Sequence, residues 1–239
     1  MAHAIDVELR RHRNPARAPA EKAYLKSDLE FLGVGLPAMR EAVRTVKREN
    51  SGLDRRGLVA LVRTLWSRPV FERRMTAVLL LEAFQPLLRP VDINLLERFI
   101  HQSKTWAFVD ELATAIVGPL VERSPTLLRV LDRWALDDDF WLRRSAMLAL
   151  LRPLRRGDGD FTRFARYAEA MLPEREFFIR KAIGWVLRET GKKRPELVYQ
   201  WLLPRCGVAS GVTVLEAVKY LSARQRADVL EAYASTRRR

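Results

Sequence analysis

The stretch Phe177-Phe178-Ile179-Arg180-Lys181-Ala182-Ile183-Gly184-Trp185-Val186-Leu187-Arg188-Glu189 decides the fold class. At about 100° per residue, Ile179, Ala182, Ile183, Val186 and Leu187 fall on one stripe, while Lys181, Trp185, Arg188 and the following Lys192 fall on the opposite side. That sorting belongs to an amphipathic helix. A tryptophan set among three cations and turned from the core suits stacking on a nucleotide beside phosphate-binding charge. The alternative is that Trp185 packs on a neighbouring helix, with Lys and Arg stems covering it.

The same spacing recurs along the chain, and its breaks carry helix punctuation rather than hairpin turns. Pro37, Pro69, Pro125, Pro173 and Pro195 stand where helices begin, and Gly33, Gly52, Gly157 and Gly191 where the chain turns. The pattern predicts an all-α protein with helices over 4–13, 19–30, 37–48, 54–66, 71–84, 92–102, 104–122, 125–135, 139–152, 160–170, 174–190, 195–203, 211–220 and 223–234. Phe71-Glu72-Arg73-Arg74, Trp141-Leu142-Arg143-Arg144 and Phe178-Ile179-Arg180-Lys181 repeat an aromatic, a variable residue and two cations, and Phe108-Val109-Asp110-Glu111 occupies the matching place between the first two. A period of roughly 35 residues is that of two-helix solenoid repeats, which bury their apolar faces only by stacking. The expected architecture is a curved solenoid with a concave basic face.

Composition sets the class of partner. The 239 residues carry 43 Lys+Arg against 29 Asp+Glu, a net charge of +14, and 48% hydrophobic residues. Such a chain can build a core, so the charge lies on a folded surface, and the expectation is one domain over 1–239. A pI near 10.6 points to a polyanion. Only 8 of the cations are lysine, which leaves 35 arginines, the residue whose planar fork grips phosphate. The single cysteine, Cys206, reads as a small apolar residue, and His3, His12 and His101 lack metal-ligand spacing, so neither a metal nor a cofactor is expected. Gly157-Asp158-Gly159-Asp160 reads as an inter-helix turn, lacking the later ligands of a calcium loop. Charge interrupts apolar runs such as 77–83, which predicts a soluble, cytosolic protein without membrane contact, and a monomer is the default expectation. Residues 235–239, ending in Arg237-Arg238-Arg239, are expected to be a flexible basic tail.

Three residues depart from simple helix packing. Trp106 and Asp110 are one turn apart, so their side chains share a face, and Asp110 fills a slot that holds a cation in the other three units. It is either a functional acid, an ion-pair partner for an arginine, or a helix-start aspartate. Arg144 shares its face with Trp141, Leu148 and Leu151 while Arg143 points elsewhere; a guanidinium so held suits a fixed phosphate contact or a buried salt bridge, with Asp110 one candidate partner.

These residues carry a resemblance. Tyr24-Leu25-Lys26 with Phe31-Leu32-Gly33 and Pro37, Leu65-Trp66 with Glu72-Arg73, Ser103-Lys104-Thr105-Trp106 through Val109-Asp110, Trp141-Leu142-Arg143-Arg144, and the 177–189 block together resemble the AlkD-type DNA alkylation repair enzymes, alkylpurine DNA glycosylases built of HEAT-like helical repeats. The likeness runs from about Tyr24 to Trp201. It implies a catalytic acid at Asp110, sugar-contacting tryptophans at Trp106 and Trp185, a phosphate-contacting arginine at Arg144 and a backbone-approaching aromatic at Tyr24. The basic face read from the helix periodicity adds Lys181, Arg188 and Lys192, and the repeated cation pairs add Arg143, as further expected DNA contacts. The segment between Lys104 and Asp110 departs from the family pattern by being one residue short, with Ala107-Phe108 replacing a more polar, Trp-containing stretch.

The implied activity is hydrolysis of the N-glycosidic bond of cationic alkylated purines, 3-methyladenine, 7-methylguanine or bulkier adducts, in double-stranded DNA for base excision repair. Location would be cytoplasmic, at the nucleoid through DNA. The alternative on the same fold is a non-catalytic binder of distorted or branched DNA.

Overall fold

The computed structural model describes residues 1–238. Among them the chain is helical with no strand; its only β-type pairing is an isolated parallel bridge between Glu30 and Val70. Two compact units are present, Met1–Ile116 and Val117–Arg239. No helix among the described residues is long and apolar enough to cross a membrane.

The first unit is built from helices Ala2–Arg11, Ala18–Leu25, Leu36–Glu49, Arg55–Trp66, Phe71–Ala83, Ile93–Ser103 and Trp106–Glu111. Pro37 occupies the first turn of its helix, where its missing N–H has no intrahelical partner to lose. Phe71–Ala83 is the central helix, with buried residues around its whole girth, including Glu72 and Arg73. A buried carboxylate needs donors. Glu72 finds them in three consecutive backbone N–H groups, those of Leu32 at 3.0 Å, Gly33 at 2.7 Å and Val34 at 3.1 Å. Burial pushes the Glu72 carboxyl up from its ordinary pKa, and these N–H groups oppose the shift. Gly33 holds φ +75°, and a Cβ there would lie 2.1 Å from the carbonyl oxygen of Asn14. Arg73 donates to the carbonyls of Thr64 and Leu65 and pairs with Asp6, tying three helices together.

Two boundaries differ from the sequence expectation here. The helix expected over 19–30 stops at Leu25, because Lys26 takes a left-handed φ of 48° and Glu30 pairs its backbone with Pro69 and Phe71. The helix expected from 104 starts at Trp106, after Lys104 ends the preceding helix with φ 50°. From Glu111 the chain passes into a π-helical turn, Leu112–Val117, a geometry common beside functional sites.

The second unit contains helices Gly118–Arg123, Leu128–Trp134, Phe140–Leu148, Leu151–Arg156, Phe161–Met171, Phe177–Gly191, Pro195–Leu202, Gly211–Ala217 and Ala223–Arg237. The single helix expected over 139–152 is two, since Pro153 sits in the first turn of Leu151–Arg156 rather than ending the preceding helix. Gly157 caps that helix at φ 98° and Asp160 caps the next by accepting the Arg163 N–H, so 157–160 is the inter-helix turn expected. The last helix reaches Arg237, so residues 235–237 are helical instead of forming the expected tail; Arg239 lies outside the described residues. Cys206 is buried and points its thiol at the carbonyls of Leu202 and Val229.

The repeated aromatics form the joints between repeats. In the first unit Phe31 stacks on Phe71 at 4.7 Å and Phe71 on Phe108 at 4.9 Å. In the second, Trp141 meets Phe178 at 4.9 Å. Aromatic pairs at such separations add about 0.5–1.5 kcal/mol beyond the area they bury.

Candidate functional site

The residue two places after each repeated aromatic is an arginine in three of four repeats, and each of the three has a structural task. Arg73 caps the carbonyls of Thr64 and Leu65, Arg143 those of Asp137 and Asp138, and Arg180 that of Glu174. A carboxylate accepts hydrogen bonds and cannot cap a carbonyl. Asp110, which holds the same slot after Phe108, therefore does something else. It is half-buried on the Trp106–Glu111 helix, and its own backbone carbonyl accepts from the Thr114 hydroxyl at 2.7 Å.

Phe108 and Val109 point inward and are fully buried, which turns Trp106 and Asp110 to the partly exposed side of the same short helix. Trp106 meets Tyr24 edge to face, with ring centroids 6.0 Å apart and planes at 87°. Tyr24 is largely exposed. The first unit thus brings together three of the five residues that the resemblance singled out.

Beside them lies a group that the sequence did not single out. Arg40 pairs with Glu82 at 3.2 Å and Glu111 at 3.7 Å. Burial raises the Glu111 carboxyl, the neighbouring Glu82 adds to the shift, and Arg40 opposes it. Glu82 and Arg40 lie 29 and 71 residues from Glu111, on separate helices, so no local spacing signals their meeting.

The other two residues belong to the second unit. Arg144 is buried, donates to the carbonyl of Phe178, and holds its guanidinium 5.8 Å from the Phe178 ring. Trp185 is half-buried on the Phe177–Gly191 helix, whose apolar stripe Ile179, Ala182, Ile183, Val186 and Leu187 is completely buried as the periodicity required. Lys181, Arg188 and Lys192 reach the surface on the other side. Arg143 forms a two-pronged pair with Glu174 at 3.1 and 2.9 Å besides its carbonyl contacts, so it adds no net charge to a surface.

The sequence reading also missed that the cations of this helix are paired. Glu216 accepts from Arg188, from Lys219 at 2.9 Å and lies 3.7 Å from Lys181; Glu189 meets Arg155 at 2.8 Å, Lys192 at 2.9 Å and Arg188 at 3.3 Å. Burial pushes both carboxyls up, but the surrounding cations outweigh it and hold each below the usual glutamate range. Gly184 makes this possible, because a Cβ there would come within 2.8 Å of the Glu216 Cβ and 3.1 Å of the Thr213 carbonyl.

Comparison with known proteins agrees on the fold. Among solved structures the chain is similar to a protein described as a predicted DNA alkylation repair enzyme from Enterococcus faecalis, with TM-score 0.78, 23% identity, and 89% of this chain and 98% of that one covered. It is also similar to AlkD2 from Streptococcus mutans, with TM-score 0.60, 19% identity, and 86% and 100% covered. No curated protein sequence matches the chain significantly. The family model described as DNA alkylation repair enzyme matches residues 5–221. With nine-tenths of its length so matched and the helical fold shared, the chain belongs to the DNA alkylation repair enzyme family, and its role lies in the repair of alkylated DNA.

Proposed function

We propose that the chain is a monofunctional DNA glycosylase that releases cationic alkylated purines, 3-methyladenine and 7-methylguanine among them, from duplex DNA. The observation that carries this reading is Asp110, a carboxylate in a slot that elsewhere holds a carbonyl-capping arginine, one helical turn from Trp106, whose ring rests against exposed Tyr24.

The chemistry needs little machinery. A purine alkylated at N3 or N7 already carries positive charge, so it departs as a neutral base without an acid to protonate it. The C1′–N bond breaks with its electron pair going to the base, positive charge develops on the deoxyribose, and a water oxygen forms the new bond to C1′. Asp110 stabilises the developing charge and takes the proton lost by that water. Glycosidases that expel an oxygen leaving group usually need a second carboxyl to protonate it, whereas a cationic purine removes that need. Within the first unit Trp106 contacts the sugar beside Asp110, and Tyr24 supports Trp106 and approaches the backbone; the resemblance gives Trp185 as a further sugar contact and Arg144 as a phosphate contact. Lys181, Arg188 and Lys192 attract the duplex.

The test is single-turnover base release from a duplex carrying one 7-methylguanine, by the wild type and by Asp110→Asn. The near-isosteric variant is expected to keep its fold and its affinity for DNA while losing about 2.7–4 kcal/mol of transition-state stabilisation, on the order of a hundredfold or more in rate. Equal release by the two proteins would overturn the assignment.

A further inference from the structure

We propose that Arg155, Lys181, Arg188, Lys192 and Lys219, assembled around Glu189 and Glu216, form one docking surface for the phosphate backbone of a DNA duplex, to which Arg155 and Lys219 contribute contacts of their own. The inference rests on the reading that this chain works on duplex DNA. It extends the surface from the Phe177–Gly191 helix to two further segments, Leu151–Arg156 and the 3-10 turn Val218–Tyr220.

The seven side chains form a connected network. Lys219, Lys181 and Arg188 meet on Glu216, and Arg188, Lys192 and Arg155 meet on Glu189, so Arg188 joins the two halves. The acids sit inside and the cations outside. Glu189 and Glu216 are 5% and 13% exposed, whereas Arg155 and Lys219 are each 50% exposed. Two interior carboxylates neutralise only part of five cations and leave a surplus of three positive charges facing solvent. They also fix where those charges stand, because each head group is held to an anchor on a helix or helical turn instead of ranging freely. Tyr220 adds an exposed ring with the Lys192 ammonium 5.0 Å from its centre.

A cluster elsewhere on the same unit shows what a purely structural network looks like. Asp132, itself 36% exposed, gathers Arg163, Arg166 and the Tyr167 hydroxyl, and Arg163 is shared with Asp160. Acid and base there balance, and no surplus remains. The surplus around Glu189 and Glu216, on a chain of net charge +14, is complementary to a polyphosphate rather than to an acidic side chain or two.

Affinity for an unmodified duplex, read by fluorescence anisotropy across a salt series, tests the proposal. Each phosphate neutralised contributes about 0.9 to the slope of log affinity against log salt. Arg155→Ala and Lys219→Ala are each expected to flatten the slope by about 0.9, the double variant by about twice that, and Arg166→Ala not at all. Arg155→Gln and Lys219→Gln give the same readout should either alanine variant lose helicity. A wild type that fails to bind duplex would overturn both this proposal and the reading it rests on. Binding with a wild-type slope retained in the double variant would overturn the surface alone and leave the glycosylase reading standing.

Discussion

The indole of Trp106 receives the ring of Tyr24 edge to face, across 82 residues of sequence. Tyr24 sits on the Ala18–Leu25 helix and Trp106 at the start of a helix only six residues long, so the contact braces an element with little stability of its own.

Loss of that brace should act on excision through Trp106. Tyr24→Ala removes an aromatic pair of about 0.5–1.5 kcal/mol, and a several-fold slower single-turnover release of 7-methylguanine is expected. In a double-mutant cycle Tyr24→Ala and Trp106→Ala should be non-additive, the second costing little once the first is made. Additive effects would show that the two rings act separately.

Leaving-group chemistry makes a separate prediction. A mechanism in which Asp110 stabilises the sugar cation and no group protonates the base accelerates departure only of a base that already carries charge. Matched duplexes differing in the lesion alone should show release of 3-methyladenine and 7-methylguanine and retention of uracil and hypoxanthine. Efficient removal of a neutral base that depends on Asp110 would contradict the mechanism.

Gly33→Ala should be among the most damaging substitutions of a single methyl in this chain. Its φ of +75° is strained for any residue with a Cβ, and the added atom would meet backbone of Asn14, which cannot swing aside as a side chain could. The strained dihedral alone costs about 1–3 kcal/mol, and displacing the Glu72 loop adds to it. Denaturant unfolding should show the midpoint fall clearly, while Gly52→Ala, with open space around it, should barely move it.

Acid should weaken the second unit by a definite route. The cations around Glu189 and Glu216 hold both carboxyls below their unfolded values, so their stabilisation is complete above the usual glutamate range of about 4.3 and is lost as pH falls through the depressed folded values. Thermal unfolding followed between pH 6 and 3 should show a fall in Tm that is shallower in Glu216→Gln. An identical fall in the variant would mean that Glu216 is not held as described.

Periodicity made the core of this protein legible. A helix that is buried on one stripe announces the stripe, and Ile179 through Leu187 are enclosed as their spacing required. The aromatic repeat was legible for the same reason, since identical joints between successive helix pairs demand similar residues at similar intervals, and Phe71–Phe108 and Trp141–Phe178 are such joints. The Leu151–Arg156 helix was not legible, because a proline reads as a stop whether it ends one helix or begins the next. Arg155 was lost with it. The acids Glu82, Glu189 and Glu216 escaped notice because a carboxylate reveals its partners only when distant segments meet. Trp106, Asp110 and Tyr24 could be named from the sequence, but the contact between the first and last had no local signal.

Gly184 has a consequence beyond close packing. With no side chain there, the helix carrying Lys181 and Arg188 approaches the one carrying Glu216 until one carboxylate can serve both cations and Lys219 as well. The spacing of the surface charges is thereby dictated by backbone approach at a position that holds no charge. A methyl added at 184 would act like a shim between two plates of type, leaving every letter intact while moving the line out of register with the template it prints against.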